Sequence, residues 1–188
     1  DKEMKYEFWL AGLHLSAGKK YLLRRHMNSA ENVYYIEETD ISGIQFLTEK
    51  EKNTIRQAQK GPDPEESYQK MEEKGIRFVP FFSEEFPSRL LELQDFPYAL
   101  YVKGELPDRT ARKAAVVGAR RCTPYGEKYA VEFGRILAEH GVEIISGLAR
   151  GIDGMGQRGA LMGGGRTFAV LGSGADVCYP REHIGLYV

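Results

Sequence analysis

Two adjacent arginines beside a glycine turn are the residues of this sequence best suited to bind an anion. Gly118 ends a short apolar run, Arg120 and Arg121 follow it, and Thr123 and Pro124 then form the N-cap and first residue of a helix. A helix N-terminus presents free backbone amides and a partial positive charge. An arginine side chain can hold a phosphate through two hydrogen bonds. We therefore predict a phosphate-binding turn centred on Arg120, whereas Arg121 is explained equally well as a solvated turn residue.

A second turn of similar type follows the apolar run Glu143–Ile145 and carries Ser146, Gly147 and Arg150. Ser146 can donate a hydrogen bond to a phosphate, but the motif contains neither a histidine nor a lysine to activate it as a nucleophile. Arg150 either adds to the anion site or pairs with Asp153. We predict that Asp153 itself is the N-cap of the next helix.

A third turn, with Gly172 and Gly174, follows the apolar run Thr167–Leu171, and Arg166 precedes that run. The two glycines permit close approach by a ligand. However, Val177 stands where a G-x-G-x-x-G fingerprint requires its last glycine, so we predict no nicotinamide or flavin cofactor. Scattered histidines and the absence of a catalytic motif predict no metal and no enzymatic activity. The residues predicted to contact phosphate are Gly118, Ala119, Arg120, Arg121, Ser146, Gly147, Arg150, Arg166, Gly172 and Gly174.

The elements that must position these turns alternate as strand, glycine turn and helix. This order predicts an α/β fold, with a parallel sheet and crossover helices over residues 114–180. Ligands bind such sheets at the carboxyl ends of the strands, where all three glycine turns are expected. A strand–helix–strand segment at residues 76–103 is expected to add a layer to this sheet.

Short helical patterns with connectors of a few residues fill the N-terminal part of the chain. We predict a small all-α domain at residues 1–62 and the sheet domain at residues 63–188. Thr48 and Glu51 form a capping box, and Asp63 caps a helix that begins at Pro64. A helix-hairpin-helix that binds DNA at Gly18 is the alternative to a plain packing module, but a second hairpin glycine is missing.

Composition sets limits on the class of protein. The 188 residues are 42% hydrophobic and 28% charged, with a net charge of −1, which is typical of a globular protein. Nucleic-acid binding would therefore need a local cationic patch. Cys122 and Cys178 are too few for a disulfide framework, and a reduced pair is favoured over a disulfide between neighbouring strand ends. A charged start, with no apolar run near the ~20 residues that span a bilayer, predicts a cytoplasmic protein without a membrane segment.

Taken together, four motifs resemble the DNA-processing protein A family (DprA, also called Smf). They are VGAR at 117–120, TPYG at 123–126, SGLARGID at 146–153 and GGRTFAVLGSGADVCYP at 164–180. The resemblance covers residues 76–188 and implies an extended Rossmann fold without a nucleotide cofactor. It also implies binding and protection of single-stranded DNA, loading of the recombinase RecA in natural transformation, and a homodimer formed through the Rossmann domain. It places Gly118, Ala119 and Arg120 in the DNA pocket and aligns Arg166 with a position that is usually lysine.

The chain departs from the family pattern in two places. Residues 154–157 (GMGQ) stand where the family usually has Ala-Ala-x-His, so we expect a helix that starts late or is mobile, without the contribution of the histidine. The sequence stops before the strands that complete the family's domain, so we expect a fragment with an incomplete sheet.

Two other functions remain open. The first is a nucleotide-binding hydrolase resembling phosphoribohydrolases, although residues 163–167 (GGGRT) only echo their PGGxGT loop. The second is a structural partner of a recombination complex, in which the glycines serve tight turns alone.

Overall fold

The computed structural model describes residues 3–187 and groups the chain into two compact units, Asp1–Val102 and Lys103–Val188. The division therefore falls later in the chain than the boundary predicted between residues 62 and 63. Tyr98 and Phe81, which follow the helices in sequence, pack against the helical core, and this packing joins residues 63–102 to the first unit.

Six helices make up most of the first unit. Two of the predicted caps are confirmed: Thr48 and Glu51 form the full capping box, and Asp63 accepts the amides of residues 65 and 66. Ser16 and Ser29 also cap their helices, since each accepts a backbone N–H. The sequence did not predict α4, whose first residue follows a glutamate without a side-chain cap. The helices are α1 (Met4–Ala11), α2 (Ala17–His26), α3 (Ala30–Tyr34), α4 (Glu38–Gly43), α5 (Glu49–Gln59) and α6 (Pro64–Glu73).

A buried carboxylate lies in the core of this unit. Glu7 is only 4% exposed, and its carboxylate accepts hydrogen bonds from the Tyr98 hydroxyl (2.5 Å) and from Nε of Arg24 (2.8 Å). The Arg24 guanidinium also lies over the ring of Phe82, 4.8 Å from its centre. Burial and the bond to Glu7 raise the pKa of Tyr98, so this phenol stays a neutral donor. The charge of Glu7 is thus fully compensated within the unit.

Lysines of the first unit bind backbone carbonyls. Nζ of Lys20 donates to the carbonyl of Ala11 at the end of α1, and Nζ of Lys52 donates to the carbonyl of Ser42 near the end of α4 at 3.0 Å. Lys19 donates to the carbonyl of Phe46. These ammonium groups thus satisfy carbonyls that a helix end or loop leaves free.

The expectation that residues 76–103 add a layer to the parallel sheet is wrong. Strands β1 (Ile76–Pro80) and β2 (Ala99–Lys103) pair with each other in a separate two-stranded sheet. Phe78 of β1 contacts the rings of Phe8 and Tyr68, so the strand buries its aromatic residue against the helices of the first unit. The segment between these strands forms a 3-10 turn at Ser88–Glu92 instead of the predicted helix.

The second unit contains the predicted parallel sheet with crossover helices. Its strands lie in the order β3, β4, β5, with both neighbouring pairs parallel and Ala115, Ile145 and Phe168 in register. A 3-10 turn (Arg181–His183) leads into the last short helix. The elements are β3 (Lys113–Ala115), α7 (Pro124–Glu139), β4 (Glu143–Ser146), α8 (Ile152–Met162), β5 (Thr167–Ala169) and α9 (Ile184–Tyr187).

Glycines allow α7 and α8 to pack backbone against backbone. A Cβ added to Gly134 would lie within 3.0 Å of the carbonyl oxygen of Gly156, and one added to Gly159 equally close to that of Val131. Helix α8 begins at Ile152, so the expected late start is wrong. Packing thus outweighs the low helix propensity of glycine, because any larger residue at these positions would push the two helices apart.

Helices α7 and α8 cover one face of the sheet, and on the other face some apolar side chains of residues 3–187 are exposed. Ala114 and Ile144 pack into the apolar cluster beneath α7 and α8. Because successive side chains of a strand alternate in direction, Ala115 and Phe168 point to the opposite face. On that side Val117 and Val170 are 65% and 70% exposed.

Candidate nucleic-acid interface

The first two glycine turns meet at the carboxyl ends of β3 and β4, as the sequence predicts for a parallel sheet. The hydroxyl of Ser146 donates to the carbonyl of Val116 at 2.5 Å, and the amide of Val170 donates to the carbonyl of Ser146 at 2.8 Å. These bonds link the ends of all three strands. The Ser146 hydroxyl, a predicted phosphate contact, is therefore engaged in the fold itself.

Asp153 joins the two turns instead of capping α8. One of its carboxylate oxygens accepts the amide of Gly118 and the other accepts the amide of Gly147, both at 3.1 Å. The residue is 8% exposed. The predicted N-cap role is therefore wrong, since Gly151 occupies that position and no side chain caps the helix there. Two of the amides predicted to bind phosphate already have an anionic partner inside the protein.

Close packing explains the turn glycines. A Cβ on Gly118 would lie 2.8 Å from the side chain of Ile152, and one on Gly147 would lie 3.0 Å from a carboxylate oxygen of Asp153. Gly151 has a φ of +75°, and its α-carbon faces the carbonyl of Ala119 so closely that a side chain is excluded. These three glycines leave room for other parts of the protein, although Gly118 and Gly147 were predicted to contact phosphate.

Gln157 fills the position that the resemblance assigns to a histidine. Its side-chain oxygen accepts the amide of Leu148 at 3.0 Å, and its side-chain nitrogen donates to the hydroxyl of Thr167 at 3.1 Å. His183 lies over Gly154 and bonds through Nδ1 to the carbonyl of Leu148 at 2.8 Å. The sequence suggested that these departures weaken the helix and remove a histidine contact. In the structure Gln157 binds the second turn directly, and Gly154 leaves room for His183, which binds the same turn.

Arg120 and Arg121 are exposed, and neither has a polar partner among residues 3–187. They stand directly before α7, whose predicted cap is confirmed: Thr123 accepts the amide of Gly126 at 3.2 Å, and Pro124 is the first helical residue. The positive end of a 16-residue helix thus lies beside two arginine side chains that the fold does not use.

Arg150 is engaged in an ion pair, and its partner is not Asp153. Nε of Arg150 lies 2.5 Å from a carboxylate oxygen of Glu182, with both side chains more than half exposed. The backbone amide of Glu182 and the Arg150 guanidinium together lower the pKa of Glu182. Arg181, which precedes Glu182, is exposed, and its side chain has no polar partner in the described part of the chain. The sequence motifs did not point to Arg181, because the last of them ends at Pro180.

Arg166 lies at the opposite edge of the sheet from Arg120, so the structure does not bring these two predicted site residues together. It precedes β5, and its carbonyl accepts the amide of Ile144 at the start of β4. Its guanidinium lies 2.7 Å from Glu105 and 3.4 Å from the buried carboxylate of Glu143. Because parallel strands run the same way, a residue that precedes a strand lies at the amino edge, away from the turns.

The remaining predicted residues lie in the loop after β5 and in the first turn. Gly172 is exposed, and a Cβ added there would meet nothing within 4 Å, so its backbone is open to approach. Gly174 is exposed as well but lies close to the side chain of Asp176. The exposed Ala119 completes the first turn beside Arg120.

Other features of the chain add little to this interface. Cys122 and Cys178 are free thiols. Residues 3–187 contain no group of three His, Cys, Asp or Glu side chains placed to hold a metal ion. None of the helices described in this range is both long and apolar enough to cross a membrane.

The chain is similar to a known protein family and to several curated proteins. A family described as DNA recombination-mediator protein A matches residues 77–188. Protein Smf of Escherichia coli (strain K12) is 41% identical over 138 residues, which are 71% of this chain and 37% of that protein. DNA processing protein DprA of Bacillus subtilis (strain 168) is 36% identical over 115 residues, covering 61% and 39% of the two chains. The chain thus spans less than half the length of these relatives.

Solved structures of DNA processing protein A resemble this one. DprA from Streptococcus pneumoniae superimposes on 97% of this chain and 62% of its own, with a TM-score of 0.74 and 28% identity. DprA from Helicobacter pylori, solved to show its single-stranded DNA binding mode, covers 59% of this chain and 49% of its own, with a TM-score of 0.50 and 29% identity. This likeness agrees with the predicted Rossmann-like fold.

Proposed function

The chain belongs to the DNA recombination-mediator protein A family, and we propose that its second unit binds single-stranded DNA through the turn that carries Arg120 and Arg121. The observation that carries this proposal is that both arginines are exposed and lack polar partners among residues 3–187. They also lie beside the N-terminus of α7. A phosphate placed there would meet two guanidinium groups and the positive end of a helix.

The arrangement favours contacts with the DNA backbone over contacts with particular bases. Guanidinium groups on an exposed turn can follow a flexible strand and neutralise its phosphates. The approachable backbone at Gly172 and the exposed Arg181 extend the same edge. Binding of this type would depend strongly on salt and weakly on sequence.

A binding role is favoured over catalysis by the way the polar side chains near the turns are used. Ser146 donates its hydroxyl to the carbonyl of Val116, and the ring of His183 is bonded to the carbonyl of Leu148. Neither is placed as an activated nucleophile or a free base. The glycine run that echoes a hydrolase loop packs against α7, where Cβ atoms on Gly163 and Gly165 would meet Arg135 and Ala138.

For the whole protein we propose the role implied by its relatives, one of which is named DNA processing protein DprA. It would protect single-stranded DNA in the cytoplasm and deliver it to RecA, acting as a homodimer without a nucleotide cofactor. Delivery to RecA can be tested by measuring RecA-filament assembly on single-stranded DNA coated with this protein.

The DNA-binding proposal is tested by fluorescence anisotropy of a labelled oligo-dT, compared with a duplex of equal length. Arg120→Ala should weaken oligo-dT binding about tenfold, because it removes a charge-assisted hydrogen bond to phosphate. The slope of log affinity against log salt should become shallower by about 0.7 for each phosphate that the variant no longer neutralises.

Arg135→Ala is the matched control, because it removes the same charge from α7, where Arg135 pairs with Glu139. It should leave the affinity unchanged. Absence of oligo-dT binding by the unaltered chain, or equal binding by Arg120→Ala across the salt series, would refute the proposal.

A further inference from the structure

We propose that Asp153 is a positioning residue for the DNA-binding turn. In this inference, which rests on the proposed function, its carboxylate fills the place between two strand-end turns that a ligand phosphate would otherwise occupy. It thereby fixes the backbone from which Arg120 projects and leaves phosphate binding to the arginine side chains.

The carboxylate of Asp153 bridges two turns. Its two oxygens accept one amide each, from Gly118 after β3 and from Gly147 after β4, both at 3.1 Å. Hydrogen bonds to an ionised acceptor are about twice as strong as neutral ones. Since the two donors belong to different strands, a single side chain fixes one turn relative to the other.

A second contact holds the same turn from the neighbouring residue. The amide of Ile152 donates to the carbonyl of Ala119 at 3.2 Å, and the Ile152 side chain fills the space beside Gly118. The start of α8 therefore binds both an N–H and a C=O of the first turn. Arg120 begins directly after this fixed dipeptide.

The same carboxylate excludes an anionic ligand from the turn amides. In dinucleotide-binding sheets, the amides of a glycine turn after a strand bind the pyrophosphate. Here two such amides are occupied by a carboxylate that is 8% exposed. A phosphate brought to the same amides would meet a negative charge at close range. The turn is therefore closed to a nucleotide phosphate, while the outward arginines remain available to DNA.

Aspartate suits this position better than its nearest analogues. Asparagine offers a single acceptor oxygen, and its NH₂ group would face the second N–H donor. Glutamate is one methylene longer, which would displace its carboxylate from the two amides that the oxygens of Asp153 reach at 3.1 Å.

The Asp153 clamp, meaning the bridge from its carboxylate to the amides of Gly118 and Gly147, is tested directly by amide hydrogen exchange in Asp153→Asn. Exchange at Gly118 or Gly147, or at both, should accelerate at least tenfold, while exchange within β4 stays near its original rate. Asp108→Asn is the matched control, since it makes the same charge change at a carboxylate that accepts the amides of Thr110 and Ala111. Unchanged exchange at both glycines in Asp153→Asn would overturn the proposal.

The positioning role is tested by a double-mutant cycle on oligo-dT. Asp153→Asn should weaken binding about tenfold and flatten the salt dependence as much as Arg120→Ala does, and the double variant should bind no worse than Arg120→Ala alone. A purely structural role would give losses that add, with an unchanged salt slope, and would overturn the proposal. Tighter binding by Asp153→Asn would overturn it as well, because the charge of Asp153 would then matter more than its hydrogen bonds.

Gly118→Ala serves as a second variant should Asp153→Asn fail to fold. It displaces the same turn from Ile152 without changing any charge, and it should show the same non-additivity with Arg120→Ala. Failure of the unaltered chain to bind oligo-dT would instead refute the proposed function, and the exchange result would still report whether the clamp exists.

Discussion

The two compact units use their cationic side chains in different ways. In the first unit, Arg24 bonds to the buried carboxylate of Glu7, and Lys52 bonds to a carbonyl near the end of α4. In the second unit, Arg120 and Arg121 have no polar partner among residues 3–187. Arg24 and Lys52 thus stabilise the fold of the first unit, whereas the fold of the second unit makes no use of the side chains of Arg120 and Arg121.

The glycines differ between the units in the same sense. Gly18 lies in α2 with nothing within 4 Å of the place a Cβ would take, so its small size has no packing role. Gly159 lies in α8 with the backbone of α7 against it. Sequence alone gives these two helical glycines the same propensity cost, and only their surroundings separate them.

The largest effect is expected from glycine substitutions that test this difference. Gly159→Ala should destabilise the second unit by about 4 kcal/mol, because the new methyl group would meet the carbonyl oxygen of Val131. Gly18→Ala should instead stabilise the first unit by about 0.5 kcal/mol, since it reduces the entropy of the unfolded chain. Urea unfolding of both variants measures the change in the free energy of unfolding. Equal changes would contradict the difference between the two glycines.

The next effect concerns the buried carboxylate of the first unit. Glu7→Ala should lower the free energy of unfolding by about 3 kcal/mol, because Arg24 and the Tyr98 hydroxyl would lose their shared acceptor. Oligo-dT affinity of the folded variant should stay unchanged. Glu73→Ala, at an exposed position of α6, is the control and should be neutral. Loss of DNA binding without loss of stability would contradict the division of roles between the units.

A smaller effect should separate the two edges of the sheet. Arg166→Ala removes a partner of the buried Glu143 and should cost about 1 kcal/mol of stability, while oligo-dT affinity changes less than about twofold. Arg120→Ala should show the reverse pattern, with weaker binding and unaltered unfolding. If Arg166→Ala proved as damaging to binding as Arg120→Ala, the DNA would have to reach both edges.

The smallest effect is expected at the Arg150–Glu182 pair. Glu182→Gln should release Arg150 and raise oligo-dT affinity about twofold, with little change in stability, because exposed ion pairs stabilise a fold only weakly. The pKa of Glu182 is lowered, so the pair is complete above the ordinary glutamate pKa and is lost only as pH falls through the lowered value. The gain in oligo-dT affinity should therefore be constant between about pH 6 and 8, and anisotropy titrations at both pH limits check this.

The sequence predicted the features that depend on local chemistry. The cap at Thr123, the capping box at Thr48, and the order of strands and glycine turns were all confirmed. Each of these follows from neighbours within a few residues, where donor and acceptor needs are fixed by the backbone.

What the sequence could not predict depends on contacts between distant segments. The carboxylate of Asp153 had a local explanation as a cap, and only the folded turns show that it accepts the amides of Gly118 and Gly147. The separate β1–β2 sheet likewise depends on packing against helices far away in sequence. Arg166 is a different case, because its position before β5 is visible in the sequence and already assigns it to the amino edge.

The close parallel packing of α7 and α8 has an electrostatic consequence. Both helices cross between parallel strands, so both direct their N-termini, each equivalent to about +0.5 charge, at the edge that bears the turns. The carboxylate of Asp153 contributes a full negative charge at the same edge. The two helix termini and Asp153 therefore sum to about zero, so the net charge that a DNA strand meets at this edge depends on the other charged side chains there, Arg120 and Arg121 among them.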